Sequence, residues 1–129
     1  MSSDIARKYK ILVVDDDPDV TLKLKRGLEE KGFAVAAFND PINVISQFKP
    51  EEYDLVLLDT KMPGMNGFEL YGQIERVDRG IKVFFMTSFI RYYESLSQGY
   101  QSVDISRFIK KPIDIDSVVR RIKDDQSSA

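Results

Sequence analysis

The chain carries a series of short, almost continuously apolar runs, and four of them stop on polar residues of a restrictive kind. Asp15-Asp16-Asp17 follows Ile11-Leu12-Val13-Val14, and Asp59 follows Leu55-Val56-Leu57-Leu58. Thr87-Ser88 follows Val83-Phe84-Phe85-Met86, and Lys111-Pro112 follows Phe108-Ile109. An apolar run without alternation reads as a strand buried on both faces, as in a parallel sheet covered by helices. Ligands of such sheets bind outside the carboxyl ends of the strands. Carboxylates, a hydroxyl and an ammonium should therefore meet in one crevice. Carboxylate oxygens gather Mg2+, and a lysine with a small hydroxyl suits a phosphoryl group.

The segments between the runs have helical spacing and helical punctuation. The first strand is expected over 10–15. Asp17-Pro18 then supplies an N-cap with proline at the first helical position. Val20, Leu24 and Leu28 line one face of that helix, and Gly32 closes it. A weaker strand spans 33–38. Asp40-Pro41 repeats the cap, Ile42, Ile45 and Phe48 give a short buried stripe, and Pro50 stops the helix. Strand three covers 54–58 and strand four 81–86. Between them Leu70, Ile74 and Val77 mark a helix that ends at Gly80. Tyr92, Tyr93, Leu96 and Tyr100 suggest a fourth helix within 89–104, with the tyrosines packing it. Strand five covers 107–110, and Ile115, Val118, Val119 and Ile122 define a last helix from about Asp114 to Asp125. The fold class is α/β, a doubly wound five-stranded parallel sheet flanked by five helices with right-handed crossovers.

Composition narrows the chemistry. The 129 residues suit one domain with one core. The sequence has no cysteine and no histidine, which excludes thiolate and imidazole catalysis and most zinc sites. A formal charge of −2 offers no footprint for nucleic acid. No stretch is long and apolar enough for a membrane span, and Met1 to Lys10 lacks the apolar core of a signal peptide, so the expected location is cytoplasmic. Residues 1–9 read as an extension, 10–125 as the domain and 126–129 as a flexible tail.

With these motifs in order, the chain resembles the receiver domains of two-component response regulators from about Lys10 to Lys123. The resemblance rests on Asp15-Asp16, on Asp59-Thr60-Lys61-Met62-Pro63 closing with Gly67, on Thr87 and on Lys111-Pro112. It implies the flavodoxin-like strand order 2-1-3-4-5, which periodicity cannot choose. It implies that Asp59 is the nucleophile that takes a phosphoryl group as an acyl phosphate. Mg2+ would be held directly by Asp16, mainly through water by Asp15, and by Asp59 and the backbone carbonyl of Lys61. Lys111 would pair with Asp59 and then with a phosphoryl oxygen, and Thr87 would donate its hydroxyl to another. A cis peptide before Pro112 would aim Lys111 inward. Phe108 stands at the place of the switch aromatic, so switching there rests on packing. Lys61 and Phe89, each two residues beyond Asp59 and Thr87, should border the path of hydrolytic water and slow self-dephosphorylation. The implied partners are a sensor histidine kinase or histidine phosphotransfer protein and a downstream protein the sequence does not name, with no nucleic acid and no membrane.

Each residue also has a plainer reading. Asp17 fits a helix cap better than a ligand. Asp15 and Asp16 could cap too, but adjacent carboxylates without a cation are costly. Asp59 could form an Asx turn, Thr87 could merely end a strand, and Lys111 could be solvated beside Lys110. Asp104 and Ile105 replace a Gly-Ala pair usual in the family, where glycine would end helix four in a left-handed turn that Asp tolerates less well, and Ile is much bulkier than Ala. A rival reading is thus a degenerate receiver serving as a phosphorylation-independent interaction module. An aspartate-nucleophile phosphatase would want a second carboxylate where Lys61 stands, and a flavin protein would want a Ser/Thr/Gly-rich loop where three aspartates stand.

Overall fold

In a computed structural model of the chain, residues 8–99 and 104–127 are described, with the side chains of 97–99 outside that description. Most of the expected N-terminal extension, Tyr100 and the last two tail residues fall outside it as well. The elements are β1 (Lys10–Val14), α1 (Pro18–Glu30), β2 (Ala34–Phe38), α2 (Pro41–Gln47), β3 (Leu55–Asp59), α3 (Gly67–Val77), β4 (Lys82–Thr87), α4 (Ile90–Gly99), β5 (Phe108–Lys110) and α5 (Ile115–Ser127). All pairings are parallel, in the order β2-β1-β3-β4-β5.

The apolar runs are buried on both faces, as continuous hydrophobicity requires. Ile11, Val13, Leu55, Leu57, Phe84 and Met86 pack on one side with Leu24 and Leu28 of α1 and Val118 and Ile122 of α5. Leu12, Val14, Val56, Leu58, Val83 and Phe85 pack on the other with Val44, Leu70, Ile74 and Phe108. The caps are where local chemistry puts them. The Asp17 carboxylate accepts from the Asp19 N–H at 2.9 Å, and Asp40 does the same for Ile42. In α3, Asn66 and Glu69 bond each other's backbone in a capping box. Gly32, at φ +95°, provides the left-handed residue that releases the chain from α1 into β2.

Several expectations are corrected. In α2 the buried residues are Pro41 and Val44, whereas Ile42 is 67% exposed and Ile45 38%. Phe48 is half-buried, stacked on Tyr53 at 5.8 Å. Pro41, Val44 and Phe48 are spaced i, i+3, i+7 and form a stripe as regular as the one expected, and it is this stripe that turns inward. Val77, the last residue of α3, is exposed and does not join the buried stripe of Leu70 and Ile74. In α4, Tyr93 packs inward but Tyr92 is exposed. Strand β4 includes Thr87, and α5 extends through Gln126 and Ser127, which the sequence placed in a tail. Asp104 is not left-handed: at φ −95° it is extended, and it caps a 3-10 turn, Ile105–Arg107, by accepting from the Ser106 N–H at 3.1 Å. The replaced glycine therefore costs no backbone strain.

Candidate functional site

The strand order places the carboxyl ends of β1 and β3 side by side, with those of β4 and β5 following. Asp15 and Asp16 leave β1, Asp59 ends β3, Thr87 ends β4, and Lys111 follows β5. One carboxylate oxygen from each of Asp15, Asp16 and Asp59 lies within 4.8 Å of the others. Lys111 Nζ reaches between two of them, 2.7 Å from Asp15 Oδ2 and 3.1 Å from Asp59 Oδ1. Asp15 and Asp59 are buried and Asp16 is exposed. Lys110, its neighbour, points to solvent. Of the two lysines, Lys111 is therefore the inward one, and the Lys111–Pro112 peptide that follows is cis.

The surrounding backbone fixes these side chains. The Asp15 N–H donates to the Phe38 carbonyl, and its Oδ1 accepts from the Asp17 N–H at 2.9 Å. The Lys111 N–H donates to the Thr87 carbonyl at 2.8 Å, so the end of β4 positions the lysine. The buried Thr87 hydroxyl accepts from the Phe89 N–H at 2.8 Å. Gly67, at the start of α3, abuts β3 so closely that a Cβ would sit 2.2 Å from the Asp59 carbonyl oxygen. Lys61 Nζ lies 4.4 Å from the centre of the Phe89 ring, so the side chains two residues beyond Asp59 and Thr87 meet. Phe108 is buried, stacked on Tyr93 at 4.6 Å and tilted against Phe85 at 5.5 Å.

The electrostatics follow from one cation among three carboxylates. Burial pushes the Asp59 carboxyl up to about 6, and the Asp15 charge adds to the rise. Hydrogen bonding and charge from Lys111, with the Lys61 N–H, oppose it without cancelling it. Burial alone would lower the Lys111 ammonium, but its bonds to Asp15 and Asp59 hold it above its ordinary value. The cluster thus has more negative charge than its lysine neutralises, together with all-oxygen donors, which suits a hard divalent cation such as Mg2+.

Sequence reasoning gathered Asp15, Asp16, Asp59, Thr87 and Lys111 at the carboxyl ends of the strands, and the structure places these five there; of Lys61 and Phe89 it shows that they meet each other. Sequence reasoning did not foresee that the shorter contact of Lys111 is to Asp15. It also missed Asn39, whose side-chain amide donates to the Asp15 carbonyl at 2.8 Å and to Thr21 Oγ1 at 2.9 Å. Asn39 is the polar residue directly after the β2 run, and the strand-end logic that found the others would have found it.

Comparison with known proteins agrees with this arrangement. Residues 11–123 match the family model of the response regulator receiver domain. Sporulation initiation phosphotransferase F of Bacillus subtilis is 30% identical over 116 residues, covering 88% of this chain and 90% of that protein. The receiver domain of HemR from Leptospira biflexa superposes with a TM-score of 0.75 at 28% identity, covering 90% of this chain and 92% of that one. The response regulator TrrA of Thermotoga maritima, solved with Mg2+ and beryllofluoride, gives 0.71 at 28% identity, over 92% and 98% of the two chains. Against others the chain spans about half the relative's length, as with the transcriptional activator IrlR of Burkholderia pseudomallei, at 28% identity over 88% of this chain and 48% of that protein. With five strands in this order and a family match across nearly its whole length, the chain belongs to the receiver domains of two-component response regulators, the phosphoacceptor modules of that signalling system.

Proposed function

We propose that Asp59 accepts the phosphoryl group and that Asp15, Asp16, Asp59 and the Lys61 carbonyl hold Mg2+. The observation that carries this is the Lys111 ammonium set between Asp15 and Asp59 beside an exposed Asp16. An Asp59 carboxylate oxygen attacks phosphorus, a phosphorus–oxygen bond forms, and the bond to the donor breaks with its electron pair leaving on the donor, a phosphohistidine of a kinase or phosphotransfer protein. Lys111 moves its contact from Asp59 to a phosphoryl oxygen while keeping Asp15, and Thr87 turns its hydroxyl from the Phe89 N–H toward another. Both Asp15 oxygens are already engaged, by Lys111 and by the Asp17 amide, which supports a part behind Asp16 in holding the ion. When bound, Mg2+ supplies the positive charge that lets a phosphoryl group approach three carboxylates. Phe108, held under Tyr93, repacks as Thr87 moves and so alters the surface of α4, β5 and α5 read by a downstream protein.

Incubation with Mg2+ and a small phosphodonor should add one phosphate that hydroxylamine removes, and Asp59→Asn should abolish the addition. Phosphate persisting on Ser or Thr in that variant would refute the assignment.

A further inference from the structure

Asp15 has four polar groups, and three are tied within the β1–α1 turn, to β2 or to Lys111. The fourth, its carbonyl, belongs to the peptide plane it shares with the Asp16 N–H. That plane sets the direction in which Asp16 leaves the strand, and nothing in the sheet ladder holds it, because β1 ends at Val14. The Asn39 amide holds it instead, at 2.8 Å. The same nitrogen donates its second hydrogen to the buried Thr21 hydroxyl at 2.9 Å, which in turn donates to the Pro18 carbonyl at 3.1 Å. A single planar NH2 thus spans the acidic turn, from the strand end before Asp16 to the first turn of α1 behind it. The Asp16 side chain itself has no hydrogen bond or ion pair among the described residues. Its aim rests on the backbone alone.

From this we infer that Asn39 is a positioning residue for the metal site. It acts through the Asp15 carbonyl to fix the direction of Asp16 and so sets the affinity for Mg2+. Asn39 is largely exposed, so its two bonds contribute little to global stability; their effect is concentrated in the turn they span. A one-donor side chain could serve the carbonyl or Thr21 but not both, and an aliphatic one serves neither. The inference rests on the Mg2+ reading above.

The test is a Mg2+ titration of the full chain followed by amide NMR, for wild type, Asp16→Ala, Asn39→Ala and Thr21→Val, with urea unfolding of each protein free of metal. Wild type should bind and Asp16→Ala should lose most of that binding; wild type that fails to bind overturns both the metal reading and this one. Asn39→Ala should weaken Mg2+ binding about tenfold, the low end of the range for residues that orient a metal ligand from behind. Its metal-free unfolding midpoint should stay close to that of wild type. Its Asp16 amide resonance should shift and broaden before any metal is added, a readout independent of the ion. Thr21→Val cuts the link to α1 but leaves the Asp15 carbonyl bonded, so it should lower stability while keeping affinity within about twofold of wild type. Wild-type affinity in Asn39→Ala, with Asp16→Ala still defective, would overturn the inference and leave the metal reading standing. Equal weakening in Thr21→Val and Asn39→Ala would overturn it too, since Asn39 would then be a general tie between β2 and α1.

Discussion

Asp59 is expected to destabilise the fold it serves, and replacing it with asparagine should expose that cost. Burial and the Asp15 charge raise its carboxyl from 3.8 to about 6. At about 1.36 kcal/mol per pH unit, ionising it in the folded protein costs on the order of 3 kcal/mol relative to the unfolded chain. The direction in pH is set by proton uptake. Between 3.8 and about 6 the folded state binds the extra proton, so stability falls as pH rises through that window. Above it the cost is complete, and below 3.8 it is absent. Asp59→Asn removes the charge and keeps the shape, but it weakens the 3.1 Å contact with Lys111, which retains Asp15 at 2.7 Å. That net cost already contains the opposing Lys111 contact; discounted by about half for solvent screening at the mouth of the site, it leaves the variant about 1–2 kcal/mol more stable than wild type near pH 8 without metal. For a domain of this size that is a rise of about 4–8 °C in Tm. Urea unfolding followed by circular dichroism near pH 8, pH 6 and pH 4 should show the advantage shrinking toward the acid end. Saturating Mg2+ should stabilise wild type and reduce the gap or reverse it. A variant less stable than wild type at pH 8, or a gap that does not change with pH, would refute the charge account.

Gly67→Ala places a Cβ 2.2 Å from the Asp59 carbonyl oxygen, so α3 must shift away from β3. Chemical denaturation should show a loss of about 2 kcal/mol, with phosphorylation of Asp59 slowed in the same variant. Asp125 on α5 binds Lys82 at 3.2 Å and Arg107 at 3.0 Å, and although burial alone would raise its carboxyl, those partners hold it below the ordinary range. Its contribution is therefore present at neutral pH and lost on acidification: Asp125→Asn should cost about 1 kcal/mol near pH 7 and progressively less as pH falls below the ordinary carboxylate range. Lys61 and Phe89 sit against each other at 4.4 Å, and neither can orient a water for attack on phosphorus. Replacing Lys61 by Asn together with Phe89 by Glu should shorten the lifetime of the phosphorylated protein, and decay at the wild-type rate would show that they do not control access.

Much of this molecule could be read from local chemistry. Strands β1, β3 and β4 announce themselves because a segment buried on both faces must be continuously apolar. Helices α1 and α2 begin at Asp-Pro pairs because the cap and the fixed proline φ act within one turn. The candidacy of Asp15, Asp16, Asp59, Thr87 and Lys111 followed from the same locality, since each lies within two residues of the end of a buried run. What the chain alone could not decide were choices between local solutions of similar quality. Helix α2 carries two overlapping apolar stripes, and docking of the helix buries Pro41 and Val44 and leaves Ile42 in solvent. Asp104 could have been left-handed or extended, and the 3-10 turn that precedes β5 made it extended. Side-chain pairing was equally a matter of assembly. Lys111 meets Asp15 across 96 residues of chain, and Asn39 meets the Asp15 carbonyl only because β2 lies beside β1. Periodicity and capping act over a few residues, whereas these contacts depend on strand order, which determines the neighbours of each strand end.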